Sequence, residues 1–126
     1  MLARKAVLII ETEIIISLSM QAALQSLNAY EIVVLTSARE FHARKLSWQD
    51  VACAIIEIER DRDQQIAMVR SAQEHNVPVL GLTADSRLKN GMPEFPGMPM
   101  LVKPVPDEAL ISAVQSLLQN TADQNE

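Results

Sequence analysis

The side chains of this chain that could do chemistry are a few carboxylates, two hydroxyls and one lysine, each placed just after a short apolar run. They are Glu11, Thr12, Glu13, Glu57, Thr83 and Lys103. Together they would form a small acidic pocket with one cation, a combination suited to a divalent metal or to an anion bridged by the lysine. This interpretation requires that the ends of the apolar runs meet in the folded protein.

Five short aliphatic runs would position these side chains, and they lie at residues 6–10, 31–35, 51–56, 77–82 and 100–102. Each run is nearly continuous in apolar residues, which is typical of strands covered on both faces. The stretches between them carry apolar residues at three- and four-residue spacing and predict helices. The alternating order predicts an α/β fold, namely a flavodoxin-like five-stranded parallel sheet with helices on both faces. In such a sheet a site is expected beyond the carboxyl ends of the strands.

Each of the five apolar runs is followed by a further segment, and four of these five segments predict clear helices. Residues 16–27 and 61–75 each carry one apolar stripe, and Ser37 and Glu40 have the spacing of a capping box that opens the second helix. The last helix follows Pro106, a favourable residue for a first turn. Residues 84–99 differ, because their glycines and prolines permit only a turn or two of helix near residues 86–89. The fourth helix is therefore expected to be short or irregular.

The composition fits one globular domain and excludes several classes of protein. The 126 residues match a single domain, expected at residues 1–119, followed by a polar, disordered tail at 120–126. The net charge of −5 gives no basic excess for binding nucleic acid. One cysteine excludes an internal disulfide, and two histidines cannot assemble a structural zinc set. No apolar run has the length of a signal peptide or a membrane span, so a cytoplasmic location is expected.

The motifs at the ends of the runs resemble the receiver domain of bacterial two-component response regulators, over residues 6–119. The matching segments are residues 7–13, 54–57, 82–84 and 101–104. The resemblance implies that acids after the first strand hold Mg²⁺, that the last residue of the third strand accepts a phosphoryl group, and that a hydroxyl and a lysine read that group. The positions that match these roles are Glu11 and Thr12, then Glu57, then Thr83 and Lys103.

The sequence departs from the family pattern where the chemistry is most demanding. Glu11 and Thr12 stand in place of two aspartates, and Glu57 stands in place of the phosphate-accepting aspartate. Glutamate is one methylene longer than aspartate, which moves its carboxylate by roughly 1.5 Å. Mg²⁺ requires near-octahedral geometry, and phosphoryl transfer depends on positioning. No cofactor is therefore certain, Mg²⁺ is expected to bind weakly through Glu11 and Glu57, and aspartyl-phosphate chemistry is expected to be absent or poor.

Glu57 has two further interpretations at this stage. A charge-assisted bond to Lys103, with Thr83 nearby, would hold this part of the domain permanently in one state. Alternatively, Glu57 and Lys103 are an inert ion pair. If the third strand ran two residues longer, Glu59 would take the place of Glu57. The acids at 61 and 63 are better explained as a solvated helix start than as displaced acceptors.

A partner surface is expected next to the irregular fourth helix. In the receiver family the output face involves the fourth helix, the fifth strand and the fifth helix, with an aromatic residue near the start of that strand. This chain has a methionine there. The flexible apolar side chains of the region suit an adaptable partner surface; they are Met92, Phe95, Met98 and Met100. The alternative is that these side chains fill the gap left by the shortened helix.

The function expected from these features is that of a stand-alone receiver-like signalling domain in a two-component phosphorelay. It would act by protein–protein contact, independently of phosphorylation, and would not be an enzyme. The expected partner is a histidine kinase or another signalling protein, with a homodimer also compatible, and neither nucleic acid nor a membrane is expected. The alternatives are a conventional phosphorylatable regulator with an altered Mg²⁺ site, a small flavodoxin-like binding protein or enzyme, and a purely structural subunit. No glycine-rich phosphate loop follows the first strand, which counts against the flavodoxin-like alternative.

Overall fold

The computed structural model describes the backbone of residues 4–59 and 63–124, and the side chains of these residues through 119. Its strands are β1 (Ala6–Ile10), β2 (Glu31–Leu35), β3 (Val51–Glu57), β4 (Val79–Thr83) and β5 (Met100–Val102). Its α-helices are α1 (Ile14–Ala23), α2 (Ala38–Ala43), α3 (Asp63–Glu74) and α4 (Asp107–Gln124). Three short 3₁₀ turns lie at Leu24–Ser26, Trp48–Asp50 and Ser86–Leu88.

The five strands form one parallel sheet in the order β2-β1-β3-β4-β5. The predicted α/β fold is therefore confirmed. β4 begins at Val79, two residues after the predicted start, because Pro78 has no N–H to donate to the sheet. The Pro78 carbonyl still accepts a hydrogen bond from the Ala54 N–H.

Alternating residues of the strands feed two separate cores, one on each face of the sheet. Leu8 and Ile56 pack with the side chains of α2 and α3, among them Phe41 and Val69. On the other face, Val7, Ile9 and Ile55 pack with the side chains of α1 and α4; those of the two helices are Met20, Leu110 and Val114. Burial on both faces explains why the strands are apolar at successive positions.

The helices differ from the sequence predictions mainly at their ends. α1 begins at Ile14 and gives way to a 3₁₀ turn after Ala23. In α2 the expected capping box is incomplete. Ser37 is the N-cap residue but its side chain caps nothing, and Glu40 instead accepts hydrogen bonds from the backbone N–H (2.8 Å) and the hydroxyl of Thr36. α4 continues through Gln124, five residues beyond the predicted end of the domain at residue 119.

The connection between β4 and β5 contains only a 3₁₀ turn, as predicted, and its apolar side chains point inward. Met92, Phe95 and Met98 are 2%, 4% and 6% exposed and belong to the core shared with α2 and α3. Met100 is partly buried and lies against Gly81, where a β-carbon would collide with its sulfur. The prediction that these residues form a partner surface is therefore wrong for Met92, Phe95 and Met98, because their buried side chains cannot be reached by a partner, and it stays a prediction for Met100. The three buried side chains fill the space that a full helix would cover.

Cys53 lies in the middle of β3 and is 0% exposed. Burial raises the pKa of its thiol to about 12. We expect the native protein to resist a disulfide reagent such as dithionitrobenzoate and to react only once denaturant unfolds it, since the thiolate is the reactive form. Rapid labelling in native buffer, followed by absorbance, would contradict the burial of this residue.

None of the helices in the part of the chain that the structure describes has both the length and the apolar character needed to cross a bilayer.

Candidate functional site

The candidate site lies at the edge of the sheet where β1, β3, β4 and β5 end, which we call the carboxyl edge. The pairings Ile10 with Ile56, Glu57 with Leu82 and Thr83 with Val102 set these strand ends level with one another. As a result, residues that are remote in the sequence become neighbours. The structure brings together Glu11, Thr12, Glu57 and Lys103.

Lys103 is the centre of the site. Its ammonium nitrogen lies 2.8 Å from Oε2 of Glu57, and 3.2 and 3.3 Å from the two carboxylate oxygens of Glu11. The three side chains are almost inaccessible, at 11% for Lys103, 3% for Glu57 and 0% for Glu11. The ion pair predicted between Glu57 and Lys103 is therefore present, and Glu11 joins it as a second acid.

Thr12 donates hydrogen bonds to the second carboxylate oxygen of Glu57. Its hydroxyl donates to Oε1 at 2.8 Å, and its backbone N–H donates to the same oxygen at 3.3 Å. Oε1 of Glu11 in turn accepts the backbone N–H of Glu13 at 3.3 Å. Every carboxylate oxygen of Glu11 and Glu57 thus has a donor. In the family motif Thr12 stands only as a hydroxyl in place of a metal-binding aspartate, and the motif does not predict its role as a donor to Glu57.

Thr83 is buried at the same edge but has a different task. Among the described contacts, its hydroxyl accepts a hydrogen bond from the Asp85 N–H at 3.0 Å and does not contact Glu57. Its carbonyl accepts the Lys103 N–H at 2.7 Å, which fixes the lysine backbone to the end of β4. Thr83 therefore positions the loop after β4 and the backbone that carries Lys103.

The acids further along the chain do not replace Glu57. β3 ends at Glu57, so Glu57 and not Glu59 holds the position at the strand end. Glu59 is exposed, and its carboxylate is 3.4 Å from the Thr12 hydroxyl. Asp63 begins α3, as expected for an acid at a helix start, and the residue at 61 lies outside the described residues.

The two buried acids have very different affinities for a proton. Burial, together with the hydrogen bond and the negative charge of Glu57, raises the pKa of Glu11 to about 7 against the opposing effect of Lys103. Burial also acts to raise the pKa of Glu57, but hydrogen bonds from Glu11, Lys103 and Thr12 outweigh it and lower the value to about 2. Glu11 is therefore the acid of the pair that takes up a proton more readily, and Glu57 is the ionised partner of Lys103. Their mutual contacts raise the pKa of Lys103 despite its burial.

The residues present do not fit Mg²⁺. Oxygens of Glu11, Glu13 and Glu57 lie within 4.8 Å of one another, which is the spacing of a cation site. However, the Lys103 ammonium already contacts oxygens of both Glu11 and Glu57. A second cation beside it would be repelled, and the hydrogen-bonded carboxylates would have to reorient to reach octahedral geometry.

An open cleft of about 460 Å³ lies above Lys103. Its charged lining combines two cations with several acids; these are Glu13, Glu57, Glu59, Asp85, Arg87 and Lys103. Arg87 is paired with Asp85 at 2.9 Å, and Lys103 with Glu57. The exposed acids Glu13 and Glu59 remain at the mouth, so the cleft disfavours a phosphate-bearing ligand.

Comparison with solved structures places the fold among receiver domains. No protein-family model matches the chain, and no curated protein matches it in sequence. A response regulator receiver protein from Sinorhizobium medicae is similar, with a TM-score of 0.74 and 19% identity, over 96% of this chain and 99% of that chain. The chemotaxis response regulator CheY4 of Vibrio cholerae has a TM-score of 0.72 and 22% identity, over 92% and 100%. A sensor protein from Polaromonas has a TM-score of 0.72 and 18% identity, over 94% and 98%.

These similarities confirm the resemblance drawn from the motifs, at the level of the fold. They extend over nearly the whole of each chain, and the sheet order and the placement of the site at the carboxyl edge are those of a doubly wound α/β fold. The chain has the fold of the response regulator receiver domain.

Proposed function

We propose that this chain is a receiver-like signalling domain of a two-component phosphorelay system that acts by protein–protein contact, independently of phosphorylation. Its partner would be a histidine kinase or another signalling protein. The receiver fold supports the signalling role. The single observation that carries the phosphorylation independence is the contact of 2.8 Å between Lys103 and Glu57.

Glu57 is poorly placed to accept a phosphoryl group. In-line transfer needs a carboxylate oxygen free to attack and a cation to neutralise the phosphoryl oxygens. One oxygen of Glu57 is held by Thr12 and the other by Lys103. The cation that would neutralise an incoming phosphoryl group is therefore already used within the site.

The ion pair would also set the state of the domain without phosphate. A carboxylate supplies one negative charge, whereas a phosphoryl group supplies nearly two and additional acceptor oxygens. Glu57 thus provides Lys103 with a permanent but smaller counterion. In this proposal the domain does not alternate between two phosphorylation states, and it catalyses no reaction. The net charge of −5 supports a protein partner over nucleic acid.

We expect no phosphorylated species when the protein is incubated with acetyl phosphate and Mg²⁺ and its intact mass is measured. The matched control is the double variant Thr12→Asp/Glu57→Asp, which restores the aspartates of the family at both positions and is expected to gain a phosphoryl group under the same conditions. A conventional receiver domain serves as the positive control for the phosphodonor. A mass increase of one phosphoryl group on the wild-type protein, in good yield and labile as an acyl phosphate, would overturn the proposal in favour of a conventional regulator.

A further inference from the structure

One surface of the molecule, the start of α1, is apolar and exposed. Among the described residues, the large hydrophobic side chains that are exposed are Ile14, Ile15 and Leu18, at 59%, 81% and 53%. All three lie on the side of α1 that faces away from the sheet, since the buried residues of this helix are Ser17 and Met20. Clustered exposed apolar side chains on one helix are typical of an interaction surface. We call Ile14, Ile15, Leu18, Ser19 and Ala22 the α1 face.

The α1 face is uncharged and tapers along the helix. Its first half carries the bulky residues Ile14, Ile15 and Leu18, and its second half carries the small residues Ser19 and Ala22, which are also exposed. The helix from Ile14 to Ala23 contains no charged residue. Burying this face therefore removes no charge from water. Close packing of a second helix on it requires small side chains opposite the bulky first half and bulky side chains opposite the small second half.

The two ends of the α1 face carry opposite charges. Glu13 is exposed at the start of α1, and the acidic first turn of α4, with Asp107 and Glu108, lies on the same face of the sheet. At the other end, the Arg4 guanidinium donates to the carbonyl of Asn28, just beyond α1, and also forms a salt bridge with Glu31 at 3.5 Å, so the net positive charge of this end comes from Lys5. Lys5 is exposed and, by strand alternation with Val7, lies on the α1 side of the sheet.

We propose that the α1 face binds a second copy of this chain, with the two α1 helices antiparallel about a two-fold axis near Leu18 and Ser19. This arrangement sets Ile15 of one copy against Ala22 of the other, so the bulky half of each helix meets a small half. It also places the acidic end of one copy, at Glu13, beside the basic end of the other, at Lys5. A parallel arrangement would oppose acid to acid.

The contact is small, so the dimer is a weak one. A standard interface buries roughly 800 Å² per partner, and a single helix pair with three large apolar side chains per copy supplies less. We expect a dissociation constant on the order of 10–100 µM. The inference does not depend on the proposed signalling function, because the experiments below need neither a phosphodonor nor a signalling partner.

Sedimentation velocity from about 5 µM to about 1 mM tests the dimer. We expect the wild-type protein to move from monomer to dimer over this range, and Ile15→Glu to stay monomeric. Ile15 is 81% exposed, so the variant should fold normally, which its far-UV circular dichroism checks. The matched control is Gln73→Glu, which adds the same charge at an exposed position of α3 on the opposite face of the sheet and should dimerise like the wild type.

The antiparallel geometry is tested by cross-linking and by charge reversal. Under mild oxidation Ser19→Cys should give a disulfide-linked dimer, whereas Gln73→Cys should not; the natural Cys53 is buried and does not interfere. Glu13→Lys and Lys5→Glu should each weaken the dimer, and the double variant should restore it. A wild-type protein that is monomeric at about 1 mM, or a dimer that survives Ile15→Glu, would overturn the inference; the first outcome would assign the α1 face to a different protein.

Discussion

Lys103→Met is expected to lower the free energy of unfolding by about 3–5 kcal/mol at pH 7. The lysine side chain is 11% exposed and is the counterion of Glu57, which is 3% exposed. Removing it leaves a buried carboxylate with only the hydrogen bonds of Thr12 and Glu11, and the attraction lost inside the protein is far larger than it would be in water. Urea unfolding followed by the fluorescence of Trp48, which is stacked on Phe41, measures the change.

The loss should depend on pH in a defined direction. Without Lys103, the pKa of the buried acids rises, so protonation relieves the unpaired charge as the pH falls. We expect the difference between wild type and variant to shrink between pH 7 and pH 4.5. Lys89→Met is the control, because it removes the same charge from an exposed lysine and should change the stability little.

A double variant separates the buried charge from the lost packing. In Lys103→Met/Glu57→Gln both charges are absent, so most of the stability should return, as is common when a buried ion pair is replaced by neutral groups of similar size. If the single variant Lys103→Met were as stable as Lys89→Met, the ion pair would not hold the carboxyl edge together.

Glu11→Gln is expected to stabilise the protein at pH 8 by up to about 3 kcal/mol and to have little effect at pH 4.5. The pKa of Glu11 is raised from 4.5 to about 7 in the folded protein. Its contribution to stability is therefore fully present below pH 4.5 and is lost as the pH rises through 7. Glutamine keeps the shape and the donor that the protonated acid offers to Glu57, but it cannot ionise.

The stability contributed by the two acids should also fall at low pH, because the pKa of Glu57 is shifted in the opposite direction to that of Glu11. Because the pKa of Glu57 is lowered to about 2, its contribution is present above pH 4.5 and is lost as the pH falls toward 2. The wild-type contribution of the pair should therefore be greatest near pH 4.5, and Glu11→Gln should remove only the decline on the alkaline side. Urea titrations between pH 3 and pH 8.5 measure both limbs. The control Glu74→Gln, at an exposed position of α3, should have the same pH profile of stability as the wild type. If Glu11→Gln also had the wild-type profile, the raised pKa of Glu11 would be contradicted.

The sequence predicted the fold well because its strands are buried on both faces. Continuous apolar runs such as residues 6–10 and 51–56 have few alternative interpretations, and their alternation with amphipathic helices leaves little choice of topology. Helix ends are less predictable. At the start of α2 the Glu40 carboxylate accepts hydrogen bonds from Thr36 and not from the adjacent Ser37, and the sequence pattern does not distinguish these two hydroxyl residues.

The sequence predicts which residues meet at the candidate site, but it does not predict the hydrogen bonds between them. Glu11, Glu57 and Lys103 were expected at one edge because they follow neighbouring strands. Which oxygen each donor would reach, and which acid would keep the proton, depends on distances of a few tenths of an ångström and on complete burial, neither of which a sequence pattern encodes. For a related reason the sequence alone left two alternatives for Met92, Phe95 and Met98, a partner surface and an inward orientation, and the structure shows the second. A loop rich in proline and glycine has no periodicity from which to infer which side chains point inside.

The segment between β4 and β5 is anchored in the interior of the domain. Turns at Gly91 and Gly97, each with a positive φ, fold it back so that Phe95 and its neighbouring methionines anchor it in the interior. Moving this connection would expose those buried side chains to water, so a change in its position would cost free energy that a segment held only by exposed residues would not.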